Sequence, residues 1–142
     1  MAEPDVAVHE TIAAASITGL TKATRTEPPF NGNLILGPPL GEESNSPGLS
    51  VFVLDTGGPL DAPFIGGSKA HRIHAVQVYV RGPRNQYAAT MTLAKAVRSA
   101  LHYATPTGYY ACACRESAPI YIGRDDYERH GFSINVELRR VV

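Results

Sequence analysis

Cys112 and Cys114 are the most reactive side chains in the sequence, and their C-x-C spacing limits what they can do. On an extended strand, residues two apart project to one face. Their Cα atoms then lie ~6.6–6.8 Å apart, at the upper limit for a disulfide. We expect free thiols. A metal site would have to recruit His71 or His74, yet structural zinc draws paired ligands from turns with two to four intervening residues. Two histidines three apart on a strand also face opposite sides, so small buried cysteines are the better reading. Asp125-Asp126 could form a carboxylate pair for acid–base work; flanked by Arg124 and Arg129, it reads as ionised and structural. Ser, His and Asp occur without a G-x-S-x-G turn to strain a nucleophile. Neither Gly57-Gly58 nor Gly66-Gly67 is followed by the Lys-Ser/Thr of a phosphate-binding loop. No enzyme and no cofactor is expected.

Charge at strand ends offers a different chemistry. Arg81, Arg124, Asp125, Asp126 and Arg129, with Asp55 in an earlier turn, could pair across a subunit interface or hold turns in shape, since arginine bonds carboxylates bidentately. As isolated surface pairs they would contribute only ~0–1 kcal/mol each. Lys95, Arg98 and His102 recur at i, i+3 and i+7 on the polar side of a helix. That stripe could face DNA, but an ordinary wet helix face explains it as well, and we take that reading.

The elements that must position these groups follow from periodicity. Pro4 to Leu20 reads as a helix, with Val8, Ile12 and Ala15 on one face and Gly19 at its exit. Thr21 to Asn33 carries Pro28-Pro29 and reads as a loop or extended arm. Asn33 to Leu36 is a short strand candidate, and a long proline-rich connection runs on to Leu49. Leu49 to Leu54 is a strand closed by the Gly57-Gly58 turn. Ile73 to Val80 is apolar at nearly every position, as in a central strand covered on both faces.

Gly82-Pro83 should open the major helix, with Pro83 at its first position. Ala89, Leu93, Ala96, Val97, Ala100, Leu101 and Ala104 form its buried side. Tyr109 to Cys114 and Ile120 to Ile122 are strands. The last strand alternates strictly: Phe132, Ile134, Val136 and Leu138 on one face, Ser133, Asn135, Glu137 and Arg139 on the other. No βαβ unit repeats. The expected class is α+β: a mostly antiparallel sheet packed on one face by a long central helix, with an N-terminal helix and a long proline-rich loop.

The composition is that of an ordinary folded chain: 142 residues, 44% hydrophobic and 18% charged. That length suits one domain, residues 1–142, with a helix and arm over 1–32 and the sheet and helix core over 33–142. Thirteen basic residues balance thirteen acidic ones, so net charge supplies no global attraction to DNA or anionic membrane. The first twenty residues lack the basic start and apolar run of a secretory signal. No window approaches the roughly 20 apolar residues of a spanning helix. We expect a protein made in the cytosol, with no membrane partner.

Three segments carry a family resemblance. Pro119 to Arg129 fits P-x-x-x-G-R-D-x-x-x-R, a charged turn leading into the last strand. Val76 to Gly82 fits V-Q-(I/V)-x-V-R-G, and Asp55 to Gly58 fits (D/T)-x-G-G. In this order, over residues 33–142, the chain resembles the tail-terminator (tail-completion, "minor capsid") proteins of long-tailed bacteriophages. It carries a longer proline-rich stretch between Asn31 and Leu49 than a typical member.

The resemblance implies a structural virion protein without catalysis. It would form a ring of six copies at the head-proximal end of the tail tube, stopping tube polymerisation. Its partners would be itself, the tail-tube protein and the head-completion or connector proteins, with genomic DNA passing through the lumen. It would sit in the virion neck, and in the host cytoplasm during assembly. Arg81 and Asp125 fall in the two best matches. The alternatives are a connector, adaptor or stopper ring of the neck, and, further off, a small metal- or thiol-dependent enzyme.

Overall fold

The computed structural model describes residues 3–27, 29–39, 48–63 and 66–142. In chain order the elements are α1 (Pro4–Ala14), β1 (Leu34–Leu36), β2 (Ser50–Gly57), β3 (Ala62–Pro63), β4 (Ala70–Arg84), α2 (Tyr87–Leu101), β5 (Ala111–Cys114), β6 (Ile120–Arg124) and β7 (Arg129–Val141). Among the described residues, the strands make one sheet in the order β1-β2-β4-β7-β5, with β3 added beside β4 and β6 beside β7. The class is α+β. The sheet is mixed, because β1 runs parallel to β2 while every other pairing is antiparallel.

Two long strands organise everything else. β4 and β7 pair from His71↔Val141 to Arg84↔Arg129. Their alternation separates the faces: Val76, Val78 and Val80 join Phe132, Ile134, Val136 and Leu138 in the main core, beneath Leu93, Ala94, Val97 and Leu101 of α2 and Val8 and Ile12 of α1. Both helices lie on this one face. On the other face, towards β1 and β2, Ala23, Ile35 and Phe52 pack with Phe30 and Tyr79 in a smaller apolar cluster.

The central helix does not open at Gly82-Pro83 as expected: α2 begins at Tyr87. Its 15 residues span about 22 Å at 1.5 Å per residue. Gly82 and Pro83 instead end β4, where the register against β7 shifts between Arg81 and Arg84. A strand proline is tolerated at such an irregularity because its missing N–H leaves no ladder bond unmade.

Gly82 is needed there for room. A Cβ on it would lie 1.6 Å from Thr90 Oγ1 and 2.8 Å from Thr90 Cβ, in the first turn of α2. Gly82→Ala is therefore expected to push α2 off the sheet and to lower stability by about 2 kcal/mol, read as a shift in urea midpoint. The buried side of α2 also differs from the expected one. Thr90, Leu93, Ala94, Val97 and Leu101 are buried, while Ala89 and Ala96 are exposed.

α1 stops at Ala14, short of the expected Leu20, where Ser16 turns left-handed at φ +52°. Its least anticipated anchor is His9, buried and donating Nε2–H to the Leu34 carbonyl at 2.9 Å. The arm doubles back on β1: the Leu34 N–H donates to Thr21 O and the Ala23 N–H to Leu34 O. Residues 40–47 of the proline-rich connection, and residue 28 of the Pro28-Pro29 pair, lie outside the described residues. β4 is longer than Ile73–Val80, and within that stretch Val76, Val78 and Val80 on the helix side are buried while Ile73, Ala75 and Gln77 are half-buried.

Cys112 and Cys114 are free and buried on the helix side of β5. The Cys112 thiol donates to Leu101 O at 3.3 Å and the Cys114 thiol to Arg98 O at 3.8 Å. Burial, with Cys114 beside it, pushes the Cys112 thiol up to about 12. A thiolate is the reactive form, so a thiol-directed reagent at pH 8 is expected to label neither cysteine until the chain is unfolded, and both afterwards.

Candidate functional site

The β6–β7 connection shows why its charged residues stand at that spacing. Asp125 Oδ1 accepts the backbone N–H groups of Tyr127, at 2.9 Å, and Arg129, at 3.1 Å. Asp125 Oδ2 accepts Arg129 Nε–H at 2.8 Å. The main chain closes the same loop, with Asp125 N–H on Arg129 O and Glu128 N–H on Asp125 O. Glu128 absorbs the reversal at φ +59°. One carboxylate thus satisfies three donors of a five-residue turn.

The turn is bolted to the β4–α2 link. Arg84 Nε–H donates to Tyr127 O at 3.0 Å, Asn85 N–H to Glu128 O at 3.0 Å, and Asn85 Nδ2–H to Glu128 Oε2 at 3.2 Å. Beneath it lie two arginines enclosed within the chain, Arg81 at 2% exposure and Arg129 at 1%. Each guanidinium covers an aromatic ring at 4.9 Å, Arg81 on Phe52 and Arg129 on Tyr127, a contact that suits weakly hydrated guanidinium.

Burial and the neighbouring Arg129 charge lower the Arg81 pKa. Burial works against the Asp125 carboxylate too, but the bonds from Arg129 and Tyr127 outweigh it and hold Asp125 below the usual carboxylate range. Gly131 fits under this cluster because a Cβ there would meet Tyr79 Oη at 2.6 Å.

Five of the six residues singled out from the sequence gather at this end of the sheet. Arg81 and Arg129 are buried there and Asp125 is half-buried, whereas Arg124 and Asp126 are exposed. Asp55 stands apart at the far end of β2, exposed, its Oδ1 accepting Gly57 N–H at 2.8 Å. The adjoining Gly58, at φ +134°, has Ile73 O only 2.3 Å from where a Cβ would lie.

The stripe Lys95, Arg98 and His102 is partly tied down. Arg98 Nε–H donates to Glu116 O, and His102 Nδ1 accepts Cys114 N–H. His71 hydrogen-bonds Tyr110, and His74 packs edge-on against Tyr109 on the opposite face. Among the described residues, no three His, Cys, Asp or Glu side chains converge as a metal site would require.

Sequence reasoning missed an aromatic cluster where α2 begins. Tyr87 lies 5.3 Å from Tyr121, 5.4 Å from His130 and 5.7 Å from Phe132, and the Tyr121 hydroxyl hydrogen-bonds His130 Nδ1 at 2.8 Å. Nor did it mark the open apolar groove of about 520 Å³ lined by Ile17, Leu49, Pro83, Ala89, Leu93 and Ala96. Ser16, Thr18, Gln86 and Thr92 also line it, and among the described residues none of its lining groups is an acid or a base.

This geometry is a rigid scaffold with a stapled turn. The family model described as "Bacteriophage tail terminator protein" matches residues 31–142, from β1 through β7. The chain belongs to that family. A search of the curated proteins finds no match. Membership makes this a structural protein of the virion tail, one that interacts with other phage tail and head proteins. No helix of the described residues is long and apolar enough to cross a membrane.

Proposed function

We propose that the protein caps the head-proximal end of the tail tube as a closed ring, with six copies the expected number. The ring stops tube polymerisation and presents its outer face to the head-completion proteins, with the genome passing through its lumen. It assembles in the host cytoplasm and stays in the neck of the virion. The observation that carries this reading is the terminator-family match across the whole sheet, Asp125 turn included. Tube subunits that add head to tail continue without limit unless a cap offers one tube-binding face and lacks the other.

Within this reading, burial divides the site residues. Buried Arg81 and Arg129, and half-buried Asp125 with its three bonds inside the turn, act as turn-shaping residues; exposed Asp55, Arg124 and Asp126 are the ones left to meet a neighbour. A neutral net charge suits a lumen that must let DNA slide, because phosphate binding scales with the number of cationic contacts.

Purified protein, alone and with tail-tube protein, should give rings of uniform stoichiometry by light scattering and negative-stain electron microscopy. Monomers under both conditions would contradict the proposal. Cross-links in intact particles to the portal side alone would instead assign a connector or stopper.

A further inference from the structure

A sheet edge presents backbone N–H and C=O groups to any extended chain that reaches it, and folded proteins blunt such edges. This chain blunts two. The outer side of β1 is taken at Leu34 by Thr21 and Ala23. The outer side of β5 is taken by the segment leaving α2: Tyr103 N–H donates to Cys112 O at 2.9 Å, and Cys114 N–H to His102 Nδ1 at 3.1 Å.

β6 is treated differently. It has β7 on one side and, among the described residues, no strand on the other. Ile120, Tyr121 and Ile122 follow one another there at 38%, 44% and 49% exposure, and Tyr87, at 41%, packs beside Tyr121. Together they leave roughly 350 Å² of mainly apolar side chain in water, the size of a functional patch. That is under half of the ~800 Å² per partner found in stable complexes. The edge needs a larger complementary surface around it.

Charge supplies the complement. Residues 1–63 hold eight acidic and two basic side chains, a net −6, and residues 64–142 hold five acidic and eleven basic, a net +6. Overall neutrality conceals this division in the sequence, and among the described residues the elements of the two parts lie towards different sides of the sheet. α1, β1 and β2 lie at one side of the sheet; β7, β5 and β6 lie at the other, with α2 over β4, β7 and β5. Glu3, Glu27 and Asp55 are exposed on the first side beside Lys22 and Arg25, and Lys95, Arg115 and Arg124 on the second beside Asp126 and Glu128.

We infer that the β6 edge and its basic flank receive the acidic α1–β1–β2 side of a second copy of this chain, joining subunits head to tail. The inference rests on the ring reading and names its interface. Two unlike patches on one subunit are what a heterologous contact requires, and such a contact closes when its rotation permits.

The test reads assembly state by light scattering and electron microscopy, with and without tail-tube protein, on variants whose melting temperature stays within a few degrees of wild type. Ile122→Lys should abolish the ring. The double variants Arg115→Glu/Arg124→Glu and Glu3→Lys/Asp55→Lys should each fail alone, and their equimolar mixture should restore rings of alternating composition. Raising salt should dissociate wild-type rings, as screening of exposed charge demands. If these variants assemble like wild type, or the mixture does not restore rings, the interface assignment falls and the ring reading stands. The assignment falls likewise if Ile122→Lys keeps its ring and loses only tube binding. A wild type that stays monomeric in both conditions takes both down.

Discussion

Val97→Asp is expected to leave the chain with no cooperative unfolding transition. Val97 has no exposed surface and projects from α2 into the main core, among the apolar residues of β4 and β7. An unpaired carboxylate there must either keep its charge without water or bind a proton, and it loses the valine packing in both cases. Losses of this kind exceed 4–5 kcal/mol, against a total stability of about 5–15 kcal/mol for a domain. Ala96→Asp, one residue earlier on the exposed side, should stay within about 0.5 kcal/mol of wild type. Thermal melts followed by circular dichroism separate the two. A Val97→Asp variant that melted near wild type would mean that α2 does not lie on the sheet as described.

Asp125→Ala should cost about 3 kcal/mol and Asp126→Ala next to it less than 0.5 kcal/mol. Asp125 accepts three bonds within its turn, and its removal strips Arg129, only 1% exposed, of its carboxylate. The same group sets a pH dependence. Its folded pKa is depressed, so its contribution is complete above the unfolded value of about 3.9 and is lost as pH falls through the folded value. The stability gap between wild type and Asp125→Asn should therefore be constant from neutral pH to about 5 and shrink below about 4.

His9, whose pKa is lowered chiefly by burial, acts in a separate window. It favours folding above about 6.5, and that contribution declines as pH falls below it. The two windows are distinguishable in one set of urea titrations.

Period-two signals were legible wherever one face of a strand is buried. Phe132, Ile134, Val136 and Leu138 all lie in the core as their alternation required. Rules of local preference failed where tertiary packing overrode them. Pro83 suits a helix start, yet it ends β4, because Thr90 needs the space over Gly82 and the register shift accommodates the ring. Ala89 and Ala96 repeat at helical spacing, yet α2 turns Thr90 and Ala94 to the sheet. Alanine is too small and too indifferent to mark a face.

The site was half legible. The glycine-bracketed turn announced itself through Arg124, Asp125 and Arg129. The enclosure of Arg81 and Arg129 did not, since arginine is charged by type and its burial depends on Phe52 and Tyr127 lying beneath it. Ser133 was placed on the polar face, but it is buried and accepts Gln77 Nε2–H at 2.9 Å. The exposed run Ile120 to Ile122 reads in sequence as an ordinary apolar strand, and only the topology reveals it as an open edge.

Capping is tested most directly by adding the purified protein to tail-tube protein as it polymerises and measuring tube lengths by electron microscopy. Lengths should shorten as the ratio of cap to tube subunit rises, with a ring seen at one end of each tube. Tubes of unchanged length, with the protein bound nowhere or along their sides, would contradict the account.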